Sequence, residues 1–75
     1  MMIYQNYSGH SSVVAFSLGS DYIDVQFSDY SIYRYSYRSA GVYNVEEMKK
    51  LAIKGIGLNS YIIRCCRILY ERKIR

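Results

Sequence analysis

Three stretches in which apolar residues recur at every second position, residues 12–18, 22–27 and 31–37, follow one another almost without interruption. Only Gly19-Ser20-Asp21 and Ser28-Asp29-Tyr30 separate them. A period of two marks a strand with one buried face. Parallel neighbours need a crossover of about a dozen residues or more, so links this short force an antiparallel meander. Glycine at the first link tolerates positive φ, and Asp21 can hydrogen-bond its own backbone, as tight turns require.

The alternation assigns faces. In the first strand Val14, Phe16 and Leu18 are the larger residues and are expected inward, with Val13, Ala15 and Ser17 opposite. In the second, Ile23, Val25 and Phe27 point inward while Asp24 and Gln26 point out. The third sets Tyr33, Tyr35 and Tyr37 in a row, with Ile32 and Arg34 behind them. Such a row has two readings. It is either a half-buried part of the core with hydroxyls at the rim, or an open platform on which unpaired bases stack. The core is the preferred reading for Tyr33 and Tyr35, because the inward residues of the other strands need bulky partners; Tyr37 stays open between core and stacking.

Beyond the meander the period changes. Residues 38–43 read as a connection, and Asn44 before Val45-Glu46-Glu47 reads as an N-cap with acids in the first helical turn. Val45, Met48, Leu51 and Ala52 fall on one helical face, and Gly55 is a natural C-cap. Leu58, Tyr61, Ile62, Cys65 and Leu69 then trace a second amphipathic helix. The basic end, residues 71–75, fits either a frayed tail or a continuation of that helix. Residues 1–10 read as an irregular lead-in or an edge strand with a turn at Ser8-Gly9-His10. With 75 residues the chain is long enough for one domain. The expected architecture is α+β: an antiparallel meander of three strands, four if the lead-in pairs, followed by two helices packed on one face.

Charge is unevenly distributed. Residues 1–37 hold one base (Arg34) against three acids, whereas residues 38–75 hold nine bases against three acids. A basic half of this kind suits a polyanion, although a solvated helix surface gives the same count. The candidate contacts to phosphate are Arg34, Lys54, Arg64 and Arg67, with Gly55 in a joint whose backbone N–H groups would reinforce anion binding. The alternative for Lys54-Gly55 is an ordinary helix cap.

Several classes of function are disfavoured. His10 is the sole histidine, far in sequence from the adjacent Cys65 and Cys66, so no zinc ligand set forms, and no cofactor is implied. Serines near His10 do not make a triad, and no catalytic residue is assigned. Adjacent cysteines cannot staple a long loop; Cys65 is expected to face the core, and Cys66 to be buried as a small hydrophobe. The first residues lack the features of a secretory signal, and no apolar run is long enough to cross a bilayer. A reduced, cytoplasmic, non-membrane protein is expected.

Taken in order, Ser11-Ser12 before an alternating strand, Ile23-x-Val25-x-Phe27, Tyr33-Arg34-Tyr35, and Ala52-Ile53-Lys54-Gly55 ahead of Leu58-Asn59 and Ile63-Arg64 resemble the KTSC domain. This short module is similar to the C-terminal extension of some lysyl-tRNA synthetases and also stands alone in bacteria and phages. The likeness spans about residues 11–70. The sequence departs from the family's pattern at Ser17-Leu18, Ile53 and Gly57-Leu58, and lacks the proline common after the Y-x-Y triplet. The resemblance implies the same meander-plus-helices fold and suggests RNA binding. Two functions are therefore expected in alternative: a non-enzymatic module binding RNA or single-stranded nucleic acid through a basic helical surface, or a small protein-interaction module. The second would be a phage-encoded inhibitor or a homo-oligomerising adaptor, since tyrosine and arginine also anchor protein interfaces.

Overall fold

The computed structural model describes all residues, Met1–Arg75. It is α+β as expected, with a five-stranded antiparallel sheet in the order β1-β2-β3-β4-β5. The strands are β1 (Met2–Ile3), β2 (Val13–Leu18), β3 (Tyr22–Phe27), β4 (Ile32–Ser36) and β5 (Arg72–Lys73). Helices α1 (Tyr37–Ala40), α2 (Val42–Lys54) and α3 (Leu58–Tyr61), the last continued by a π-helical turn at Ile62–Cys66, complete the fold. Phe16, Ile23, Val25 and Tyr35 from the sheet meet Val45, Met48, Ala52, Leu58, Ile62 and Cys66 from the helices in one core. The central hairpins are held by Phe16 opposite Val25, Val25 opposite Tyr33 and Ile23 opposite Tyr35. Residues directly opposite each other project from the same face, so this register builds the buried layer.

In β2 the expected face is wrong at its first half. Val14 is exposed while Val13 and Phe16 are buried, because a bulge between Val13 and Ala15 interrupts the register with β3. The extra residue lets two side chains three positions apart share the core side. Leu18, also expected inward, is partly open at the strand's end.

The tyrosine row breaks after its second ring. Ser36 ends β4 and caps α1, its Oγ accepting from the Ser39 N–H while Ser39 Oγ accepts from the Ser36 N–H, both at 3.1 Å. This reciprocal pair satisfies two donors that a helix start leaves free. Tyr37 becomes a helical residue and leaves the strand. Residues 38–43, read as a connection, thus hold most of α1 and the start of α2, which begins at Val42 after Gly41 at φ 90°. Asn44 is not the N-cap; it lies in the first turn of α2, donating to the Ala40 carbonyl and accepting from the Tyr61 hydroxyl.

Helix α2 buries Val45, Met48 and Ala52 with Leu51 half-buried, as its periodicity predicts. The second helix rotates out of the expected phase. Leu58, Ile62 and Cys66 are buried and Cys65 is exposed, the reverse of the expectation for Cys65. Hydrogen bonds to i+5 add roughly one residue to the turn, so position i+8 replaces i+7 over the core. The basic end is neither a frayed tail nor more helix: the chain turns back and β5 pairs Lys73 with Tyr33 and Arg72 with Arg34.

The lead-in is both edge strand and core. Met2 and Ile3 pair with β2, and Tyr4 is buried with its hydroxyl accepting from the Leu58 N–H at 3.2 Å. Gly55 closes α2 at φ 83°, donating to Leu51 and accepting from the Tyr7 N–H. A Cβ there would meet Gln5 Cβ at 2.8 Å and the Tyr7 ring at 2.9 Å. Glycine is required at that position twice over, by conformation and by the close approach of the N-terminal segment.

Candidate functional site

The larger of two depressions in the surface is an open groove between the β3–β4 turn on one side and α3 with its π-helical turn on the other. It has a volume of about 460 Å³. Phe27, Tyr33, Tyr35, Ile62 and Tyr70 supply its apolar surface, while Asp29, Ser31, Asn59 and Arg67 bring polar groups to it. The aromatic residues pack edge to face: Phe27 against Tyr33 at 5.9 Å, Tyr33 against Tyr70 at 4.8 Å and Tyr35 against Tyr70 at 6.4 Å between centroids. Each geometry sets a ring edge against a neighbouring face, which fixes the rings relative to one another.

The polar side has a local cause in each case. Asp29 sits in the β3–β4 turn, where its Oδ1 accepts from the Ser31 N–H at 3.0 Å and from Ser31 Oγ at 2.6 Å. The hydrogen bond from the Ser31 hydroxyl, with that from its N–H, holds the Asp29 carboxyl below the usual carboxylate range and so keeps it ionised. Asn59, on α3, accepts from Ser12 Oγ at 2.9 Å, which leaves its amide N–H groups without a partner in the protein. Arg67 follows the π-helical turn and is exposed, with no acidic partner within ion-pair distance. Lys73 Nζ stands 5.9 Å from the centroid of the Tyr33 ring.

Tyr35 is the deepest member, only 2% exposed. No side chain or backbone group of the protein hydrogen-bonds its hydroxyl, yet no fully enclosed side-chain polar atom lacks a partner. The hydroxyl is therefore not fully enclosed, and Tyr35 is one of the residues that line the groove. Burial pushes the Tyr35 hydroxyl from 10.0 up to about 12, and pushes the Cys66 thiol from 9.0 up to about 11. Both groups are favoured neutral in the fold. Their contribution to stability is whole below the unfolded values and is lost as pH rises through the folded ones. Thermal unfolding is accordingly expected to be insensitive to these groups up to about pH 9 and to move to lower temperature between about pH 9 and 12. Tyr35→Phe should reduce that alkaline loss, as followed by circular dichroism together with tyrosinate absorbance; an unchanged alkaline limb would show that Tyr35 does not contribute to it.

The residues expected to contact phosphate are not gathered in one place. Arg34 is on the opposite face of the sheet, its Nε and Nη2 bonded to the two Asp24 carboxylate oxygens at 2.8 and 3.0 Å. Its guanidinium also lies 3.9 Å over the Tyr22 ring, so it is already fully engaged. Gly55 uses both backbone groups within the protein, and the Leu58 N–H of the following helix is occupied by Tyr4. At the joint the Gly55 and Leu58 N–H groups are therefore engaged within the protein. Lys54 is exposed beside it, and Arg64 is exposed on the π-helical turn. Tyr37 lies apart from the groove; its hydroxyl donates to Glu46 at 2.5 Å and Lys49 stands 5.6 Å from its ring centroid.

Nothing in the sequence alone singles out Asp29, Ser31, Tyr70 or Lys73 as site residues. Tyr70 reaches the groove, and Lys73 the Tyr33 ring, only because the chain reverses into β5, and no local pattern announces that reversal. No group of three or more His, Cys, Asp or Glu side chains is placed to hold a metal ion, and no helix is long and apolar enough to cross a membrane. Comparison of the chain with protein families, curated proteins and solved structures finds no match.

Proposed function

We propose that this chain is a non-enzymatic binding module that contacts RNA or single-stranded nucleic acid through the bases of its C-terminal third. The observation that carries the reading is the pattern of ion pairing. Acids neutralise Arg34 (Asp24), Lys49 (Glu46) and Lys50 (Glu47). Arg38, Lys54, Arg64, Arg67, Arg72, Lys73 and Arg75 have no such partner, and of these Arg67 lines the aromatic groove while Lys73 stands beside its Tyr33 ring. Unpaired cations beside aromatic side chains are the chemistry by which single strands are held, phosphates by charge and bases by stacking. The resemblance to the KTSC domain supports the same reading and forms part of the proposal. Arg34 and Gly55 drop out of the contact set because their groups are already bonded, and Lys54 stays at its margin.

Titration of mixed-sequence single-stranded RNA at low ionic strength tests this. Binding should weaken steeply as salt is raised. Arg64→Glu combined with Arg67→Glu should lower the affinity at least tenfold, and should flatten the log–log salt slope by about 1.4, roughly 0.7 for each phosphate no longer neutralised. No binding at low salt would remove the reading.

One observation favours a second reading, a protein-interaction module. Ile53, Ile63 and Ile68 are exposed on the helical side, Ile68 at 81%. Isoleucines of this kind beside arginine suit a partner surface. A strictly monomeric chain in light scattering at high concentration would exclude a homo-oligomer; the inhibitor version requires a host protein that binds the purified chain.

A further inference from the structure

We infer that the groove takes a single unpaired base of the bound strand, with the base edge hydrogen-bonded to the Tyr35 hydroxyl. This rests on the nucleic-acid reading and goes further, because it assigns a base-binding subsite rather than a charged surface.

The shape comes first. A volume of about 460 Å³ lies within the roughly 300–1,000 Å³ range of small-molecule sites, enough for one nucleotide and too little for a length of strand. The surfaces come next. Phe27, Tyr33, Ile62 and Tyr70 are walls for a flat apolar ring, whereas the floor is a phenol whose ring is in the core and whose O–H has no partner in the protein. An aliphatic occupant would leave that hydroxyl desolvated and unpaired, a cost of about 1–3 kcal/mol. The occupant must therefore be flat on its faces and polar at its edge.

The rim selects further. Asp29, held ionised by Ser31, accepts only; Asn59, with its carbonyl bonded to Ser12, offers N–H; Arg67 donates. A carboxylate ligand would be repelled by Asp29 on one side, and a simple aromatic hydrocarbon would satisfy none of these groups. A nucleobase carries donors and acceptors around a planar ring and answers all of them. Arg67 at the wall and Lys73 beside Tyr33 are available for the phosphates on either side of the inserted nucleotide.

The test compares a short single strand with an abasic strand of the same length, both at low salt, against the wild-type protein and Tyr35→Phe. Tyr35→Phe removes one oxygen and keeps the ring that fills the core. The expected result is tighter binding of the base-bearing strand by the wild type, a loss of about threefold to tenfold for that strand in Tyr35→Phe, and no change for the abasic strand. A readout free of any variant is the NMR signal of Tyr35 labelled at Cζ, which should move on adding the base-bearing strand and stay put with the abasic one. Equal affinities for the two strands with a silent Tyr35 signal would overturn the base subsite while leaving backbone binding intact. Absence of binding by either strand would overturn both. A Tyr35 signal that moves with a free nucleoside monophosphate but not with the strand assigns the groove to a soluble nucleotide and overturns the strand-bound base. A signal that moves only with an aromatic peptide does the same in favour of a protein ligand.

Discussion

Leu58→Ala is expected to lower stability by about 3 kcal/mol, within the roughly 2–5 kcal/mol that truncating a buried leucine costs. Leu58 has no exposed surface, and it stands where three parts of the chain converge: the end of α2, the start of α3 and Tyr4 from the N-terminal segment. The Tyr4 hydroxyl fixes its backbone N–H, so the site has little freedom to collapse around the missing methyl groups. A domain of this length has a total stability of roughly 4–11 kcal/mol, and the change would remove a large share of it. Urea unfolding should show a lower midpoint at unchanged slope. Ile63→Ala serves as control: five residues along the same helix but 57% exposed, it should change stability by less than about 0.5 kcal/mol. Similar losses for the two variants would refute the placement of Leu58 in the core and Ile63 outside it.

The second large effect is expected at Asp24, on the sheet face away from the helices. Asp24 is only 9% exposed and accepts both Arg34 hydrogen bonds. Asp24→Ala leaves the guanidinium over Tyr22 with neither counter-charge nor acceptors. Removing one partner of a fully buried pair costs about 3–5 kcal/mol, but the Arg34 side chain is 24% exposed, and water can replace part of what is lost. A loss of about 2 kcal/mol is expected, close to that of hydrogen bonds to a charged group. Adding Arg34→Ala should cost less than the sum of the two single changes, by about 1 kcal/mol or more. Strict additivity in the double-mutant cycle would mean that the pair contributes nothing beyond its separate contacts. The same geometry explains why the one base of the N-terminal half is not available to a ligand.

What could be read in advance follows the range of the interaction. The inward placement of Ile23 and Val25 in β3 and the helical spacing of Val45, Met48 and Ala52 depend on one face meeting a core, and both match the structure, whereas Asp24, expected outward, is buried on the far face by its pairing with Arg34. Each departure arises where a contact distant in sequence, or a local hydrogen bond stronger than the pattern, took over. A bulge turned Val13 inward and Val14 outward. The Ser36–Ser39 capping box ended the tyrosine strand one ring early, although a Ser-x-x-Ser spacing is a weaker signal than the usual Ser-x-x-Glu. The π-helical turn took Cys65 out of the core and left Cys66 in it, buried as expected.

For the candidate site the division is sharper. The sequence by itself determined the meander, because short links between alternating stretches admit no other pairing, and it determined the basic second half, because net charge does not depend on fold. Tertiary structure decided which of those charges are free. It set Arg34 against Asp24, occupied the helix joint with Tyr4 and Tyr7, and folded the last residues back so that Tyr70 and Lys73 came to Tyr33. It also left the Tyr35 hydroxyl without a partner in the protein, on a residue that lines the groove. The reason is physical: periodicity reports only whether a side chain has an inside and an outside, whereas a site is made by side chains far apart in sequence whose hydrogen bonds the rest of the protein does not complete.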